Sequence, residues 1–347
     1  MTGSMYIKRI SEEISKEGRG GHDLGISFCR CIAMIFIVVC HILQYYNNEL
    51  AWWFNCGVQI FICISGFLYG QRKIDNGYRF IKKRFIKILS SYYICLLMDI
   101  VLLYGFSPQS VDIKGIILMV FCKGTITGLG HLWFVGTILF CYLLTPILSR
   151  IYEFQESKKF KKDFFLFCIF LCMIIQIHLP QFNPIWILCY ICGYLIGKLK
   201  LKDEKWLYKS SMLFVPMGII FNIIKIYMKY VYKITFKHEI LNSLYVRYGS
   251  ISHLLLGVAL FLILYGIYIN LIQHMHTSGI TCMLKLSDKY SYDVYLVHHI
   301  YILGPLSVLS LQTSIFFKIA ILVGLISIQS IIVHKAGYLL SQLKVSN

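Results

Sequence analysis

The sequence predicts an all-α, polytopic membrane protein of about ten transmembrane helices, and three observations carry that prediction. Of 347 residues, 58% are hydrophobic and 14% charged, where soluble domains carry about 25% charged residues. Mean hydropathy is +0.68. The apolar residues gather into stretches of about 17–22 residues, the length needed to cross a hydrocarbon core, and the basic residues gather between them.

The stretches fall at residues 26–46, 53–71, 85–104, 131–150, 163–179, 183–199, 210–228, 250–270, 289–310 and 313–337. An even number of spans puts both termini on one side. With that side cytoplasmic, 25 of the 34 Lys and Arg residues lie inside, in accord with the positive-inside rule, and segment 225–247 is the one basic exception outside. Residues 1–25 are expected to form a cytoplasmic tail, 26–338 a single transmembrane domain and 339–347 a cytoplasmic C-terminal tail. The polar start and the lack of a small-residue cleavage site argue against a cleavable signal peptide.

Composition excludes several classes. The net charge of +18 is distributed as membrane loops require, not as a nucleic-acid patch. Six prolines and 25 glycines spread through a chain rich in Ile, Leu, Phe and Tyr exclude disorder and collagen. The 13 cysteines sit mainly within apolar stretches, where a thiol acts as a small hydrophobic group, so no disulfide is expected. Cys189 and Cys192 form a CxxC with no second pair or nearby His to complete a zinc site, and no metal is expected.

Ionisable side chains within spans are costly and therefore informative. Arg30 and His41 share the first span, eleven residues apart. At 100° per residue that separation is about 20° from whole turns, so they share a face about 16 Å apart along the axis. The second span carries Gly57, Val58, Phe61, Ser65, Gly66 and Phe67, where small residues admit close approach of a backbone or ligand. Arg72 and Lys73 follow, and then Phe80, Lys82, Lys83, Arg84, Phe85, Lys87 and Ile88, a basic run that continues into the third span. Arg84 and Lys87, at i and i+3, suit phosphate binding.

Together with Gly130, His131, Leu132, Trp133 and Phe134, and with Ser291, Tyr292, Tyr295, Leu296 and His298, these residues stand in the order found in bacterial integral-membrane O-acyltransferases. The chain resembles the acyltransferase-3 family over residues 25–300. Two positions depart from the pattern. Ser27 stands where the family often has an acid three residues before the Arg, and Lys87, Ile88, Leu89 and Ser90 replace a usual Arg-Ile-x-Pro.

The resemblance implies transfer of an acyl group, usually acetyl, from cytoplasmic acetyl-CoA to a hydroxyl of a cell-envelope or exported polysaccharide or a lipid-linked saccharide, in a bacterial cytoplasmic membrane. A basic mouth of Arg30, Arg72, Lys73, Lys82, Lys83, Arg84 and Lys87 suits the polyanionic coenzyme. His41 is expected as general base, by direct attack or through an acetyl-imidazole. Ser65, the Gly66 amide or Trp133 are candidate oxyanion donors. Glu49, Trp52, His131, Trp133, Tyr292, Tyr295 and His298 are candidate acceptor or supporting residues. For several of these a plainer role competes: membrane-interface anchoring for Trp52, Trp53 and Trp133, and interhelical hydrogen bonding for Tyr292, Tyr295 and His298. Asp293 is expected to pair with Lys289. His22, His238, His274, His276 and His334 are assigned no role. The alternative function is a carrier for saccharides or lipid-linked intermediates, which would need no histidine base. Acceptor identity, acyl length and oligomeric state are left open.

Overall fold

Asp23 opens the first helix by accepting the Ile26 amide on its carboxylate at 3.2 Å, which satisfies one of the free N–H groups of a helix start. The computed structural model describes residues 23–123, 126–158, 167, 170–171, 173–174, 183–231, 238–275 and 277–343. Among these, the long helices are α1 Leu24–Tyr45, α2 Ala51–Phe54 running on to α3 Gly57–Gly70, α4 Gly77–Phe106 and, after the short α5 Ile113–Val120, α6 Trp133–Lys158. They continue as α7 Pro184–Lys202, α8 Trp206–Ile226, α9 Glu239–Asn270, α10 Ser278–Val297 and α11 Ile315–Leu343. Asn76, Asp112, Asn183 and Thr277 cap α4, α5, α7 and α10 as Asp23 caps α1.

Eight helical stretches among the described residues are long and apolar enough to cross a membrane: α1, α2 with α3, α4, α6, α7, α8, α9 and α11. The protein is an all-α polytopic membrane protein. Two expected spans differ in detail. The stretch at 53–71 divides at Asn55 and Cys56. The stretch at 289–310 is instead the end of α10, which begins at Ser278, carries Lys285, Asp288, Lys289 and Asp293, and stops at Val297. A tight turn at His298–Tyr301 follows, in which the His299 carbonyl accepts the Ile302, Leu303 and Gly304 amides. Pro305 then offers no N–H with which to resume a helix. Apolarity alone concealed this break. The expected span at 163–179 falls largely outside the described residues.

Among the described residues, glycines let α3 and α7 pack in close contact. Gly66 and Gly70 on α3 face Gly193 and Gly197 on α7. A methyl group on any of the four would collide with a main-chain oxygen of the other helix, that of Tyr190, Tyr194, Cys63 or Phe67 respectively. This is the small-xxx-small device by which membrane helices approach without a hydrophobic driving force. Around the seam, Phe67, Tyr190, Tyr194 and Phe261 are fully buried. At the periphery α8 and α11 expose Ile, Leu and Phe side chains such as Ile220, Ile223, Phe317 and Ile328, as lipid-facing helices do.

Polar groups set the register of α4 against α11. Gln329 donates to the buried Asp99 carboxylate at 2.7 Å, and Gly337 lies against Ser91, eight residues later on α11 and eight earlier on α4. Asp293 is 2% exposed, and its carboxylate meets His334 Nδ1 of α11 at 2.8 Å. The expected Asp293–Lys289 pair is therefore replaced by an interhelical one, and His334 gains a structural role. An unpaired carboxylate at this depth would be costly, and His334 is the group that α11 brings within reach.

Candidate active site

Two polar regions occupy opposite ends of α1. At its start, Arg30 Nη1 meets the Asp288 carboxylate of α10 at 2.6 Å. Arg84 lies on aromatic rings, its guanidinium carbon 5.1 Å from the Tyr69 centroid and 5.8 Å from that of Phe80. Arg84 Nε is buried without a hydrogen-bond partner. Tyr142, buried between these groups, is within electrostatic reach of both Arg84 and Arg30. Arg72 extends the patch, 5.9 Å from the Tyr69 centroid. Lys73 makes an exposed pair with Asp75 at 3.7 Å, and Lys82, Lys83 and Lys87 are exposed.

Near the other end of α1, a cavity of about 180 Å³ is lined by His41, His131, Trp133, Tyr295 and His299, with Gly57 and Val58 among its walls. The break after α10 delivers His299 to it and sets His298 behind His41, and the turn at Gly130–Leu132 delivers His131. Four imidazoles result. His41 stacks on His298 with centroids 5.2 Å apart, and His131 stacks on His299 at 4.6 Å. His41 meets His299 edge-on at 4.8 Å, and His131 meets His298 edge-on at 5.0 Å.

Each ring has one nitrogen against a carbonyl oxygen, and a nitrogen so placed must donate. His41 Nδ1 donates to Gln44 Oε1 at 2.7 Å, and His131 Nε2 to Leu296 O at 2.9 Å. His298 Nδ1 donates to Tyr295 O at 2.7 Å, and His299 Nδ1 to Gly128 O at 2.8 Å. In the neutral rings the opposite nitrogens therefore carry lone pairs. His131 Nδ1 and His298 Nε2 are buried with no partner, so the cluster is rich in acceptors and lacks donors. Among the described residues no group of three or more His, Cys, Asp or Glu is arranged to hold a metal ion.

The start of α3 lies at the cavity. The first N–H groups of a helix have no intrahelical carbonyl to meet and carry the positive end of its dipole. Gly57 and Val58, the first two residues of α3, line the cavity. Trp133 stacks on Trp186 at 3.7 Å while also lining it. Tyr295 donates its hydroxyl to His131 O at 2.5 Å, which ties α10 to the His131 turn.

Of the residues singled out in the sequence, His41, His131, Trp133 and Tyr295 come together at the cavity, with His298 stacked directly on His41. Arg30 and Arg84 come together at the opposite end. Others stand apart. Ser65 donates to Phe61 O at 3.0 Å within its own helix and does not line the cavity. Glu49 is exposed, and the residue that orients His41 is Gln44. Trp52 packs away from the cavity, donating to Asn222 at 3.3 Å. Tyr292 donates to Ile88 O at 3.2 Å, joining α10 to α4. Sequence reasoning missed His299, Asp288 and Gln44. Two had a visible signal: His299 is the second half of a His-His doublet, and Gln44 sits one helical turn beyond His41.

Among the described residues no cysteine is in a disulfide, and Cys189 of the CxxC is buried with its thiol directed to Gln59 O at 3.3 Å.

A polytopic helical bundle with a cationic end and a histidine-lined cavity has the layout of an integral-membrane transferase. The chain matches the acyltransferase-3 family model, described as an acyltransferase domain, over residues 23–333. It belongs to that family, and it is a membrane acyltransferase. No curated protein and no solved structure matches the chain.

Proposed function

We propose that the protein transfers an acetyl group from cytoplasmic acetyl-CoA to a hydroxyl of a cell-envelope or exported polysaccharide, in a bacterial cytoplasmic membrane with both termini inside. The observation that carries this reading is the His41 imidazole. Its Nδ1–H is held by Gln44 at 2.7 Å, which leaves Nε2 as the basic nitrogen of a ring that lines a cavity of about 180 Å³. That volume equals about six liquid waters and suits an acetyl thioester beside a sugar carbinol.

The cationic end supplies the donor site. Arg30 and Arg84 bind coenzyme phosphates, Arg84 with a buried Nε–H that has no protein partner, and Arg72, Lys73, Lys82, Lys83 and Lys87 form the outer part of the mouth. The pantetheine arm spans the distance of about 16 Å from Arg30 to His41 on their shared face of α1.

In the step itself His41 Nε2 takes the hydroxyl proton while the oxygen attacks the thioester carbonyl. Charge then develops on the carbonyl oxygen, where the Gly57 and Val58 amides and the Trp133 Nε1–H donate. Collapse expels the CoA thiolate, which takes the proton from the His41 imidazolium. Atoms and charge balance, and no covalent enzyme intermediate is required. His131 and His299, which line the cavity, hold the acceptor hydroxyls.

The test is release of free CoA from acetyl-CoA by purified protein, with and without a surface-glycan extract. Glycan-stimulated release in wild type should fall by about 10²–10⁴ in His41→Ala while acetyl-CoA binding persists, and Arg30→Ala should weaken that binding. A wild-type protein that neither binds nor turns over acetyl-CoA with any extract would overturn the reading.

A further inference from the structure

The end of the bundle that holds His41 carries a second cationic cluster, on the other side of α2 from the cavity. Phe54 and Asn55 turn toward the cavity, whereas Trp52 turns toward α8 and α9. There its ring lies 3.9 Å from that of His253, its carbonyl accepts His253 Nε2 at 3.2 Å, and its indole N–H meets Asn222 at 3.3 Å. Asn222 is fixed in turn by the Gly218 and Ser252 carbonyls at 2.8 and 2.7 Å. One turn beyond Asn222, Lys225 is 5% exposed and donates to Tyr245 O at 2.9 Å. One turn further, Lys229 places its ammonium 5.8 Å from the Trp52 ring centroid.

Two features make this more than packing. First, Lys225 is a buried ammonium with no carboxylate at ion-pair distance among the described residues. The sequence has no acid between Glu204 and Glu239, and none from 240 to 287. Burial of a cation without a counter-charge is costly, and Lys229 alongside adds like charge. Second, this segment breaks the charge rule that the rest of the chain obeys. Lys225, Lys229 and Arg247 stand at the end where basic residues are otherwise scarce.

We propose that this cluster binds the acidic group, carboxylate or phosphate, of an anionic acceptor saccharide, with Lys225 and Lys229 as its cationic contacts. The proposal rests on the acyltransferase reading above and names its acceptor class. An acidic sugar held beside Trp52 lies across α2 from the cavity, at the same end of the bundle as His41. A phospholipid headgroup offers the same phosphate chemistry, and the experiment separates the two.

The protein is placed in phosphatidylcholine nanodiscs and titrated with fluorescently labelled oligogalacturonate and, separately, with its methyl ester, which has the same backbone without the charge. Wild type should favour the charged oligomer by about 10- to 100-fold. Lys229→Met, an exposed substitution that leaves the fold intact, should remove most of that preference. Lys225→Met should do likewise, and Lys225→Arg should keep it. Equal binding of the two oligomers, or binding of neither, overturns the proposal. So does a preference that vanishes in phosphatidylglycerol discs together with phosphatidylglycerol retained by wild type but not by Lys225→Met in native mass spectrometry, because the ligand is then a headgroup. Acetyl-CoA binding is measured in the same discs. Its absence from wild type would sink the donor assignment, whereas the oligomer comparison judges the anion site alone.

Discussion

Arg30 of α1 and Asp288 of α10 meet at 2.6 Å, with side chains only 25% and 12% exposed. The acid that is absent at Ser27 is thus supplied from 258 residues away. The pair fastens the start of α1 to α10, whose far end delivers His298 and His299, through Nη1, one of the nitrogens that carry the five guanidinium donors of Arg30. The cationic end and the histidine cluster are therefore held in one frame by the same two helices.

A double-mutant cycle tests this coupling. Arg30→Ala and Asp288→Ala should each lower stability, and the double mutant should lose less than their sum, with a coupling of about 0.5–3 kcal/mol. Unfolding in mixed micelles provides the measurement. Strict additivity would mean that the contact contributes nothing to holding α1 against α10.

The α3–α7 seam gives a second expectation. Gly66→Leu or Gly193→Leu drives side-chain atoms into a main-chain oxygen, a clash that no rotamer relieves, so the helices must separate. Folded yield by size-exclusion chromatography should collapse. Gly324→Ala in α11 is the control, because nothing lies within 4 Å of the added carbon, and its yield should match wild type. Equal behaviour of the two sites would show that the seam tolerates wider spacing.

The fold class was legible in the sequence because bilayer crossing imposes a length and an apolarity that few other constraints imitate. The shared face of Arg30 and His41 was legible because helical periodicity is rigid. The partners were not. Asp288 and His299 reach α1 only through a helix that breaks at Val297, and the apolar residues around 294–309 read as an uninterrupted span. His334 looked like an end residue because its partner Asp293 is chosen by the α10–α11 contact rather than by sequence distance. Ser65 drew attention by its polarity, yet a hydroxyl in a helix can be satisfied by the carbonyl four residues back, as the Phe61 oxygen satisfies it at 3.0 Å.

Gln44 offers the sharpest expectation at the cavity. Its amide oxygen accepts His41 Nδ1–H at 2.7 Å, so it selects the tautomer with a basic Nε2, and the bond strengthens when the ring becomes imidazolium. Gln44→Leu removes the acceptor without adding a donor. The ring then loses both its orientation and the charge-assisted bond, worth about 1.5–3 kcal/mol, or roughly 10- to 100-fold in kcat. Gln44→Glu keeps an acceptor at that position and should restore most of the rate. Because Gln44 lies far from Arg30 and Arg84, the KM for acetyl-CoA should stay unchanged in both variants. A purely structural role predicts instead that Gln44→Leu lowers stability, that Gln44→Glu fails to rescue it, and that kcat and KM shift together. Steady-state kinetics on the three proteins, with the acceptor saturating, separates these outcomes.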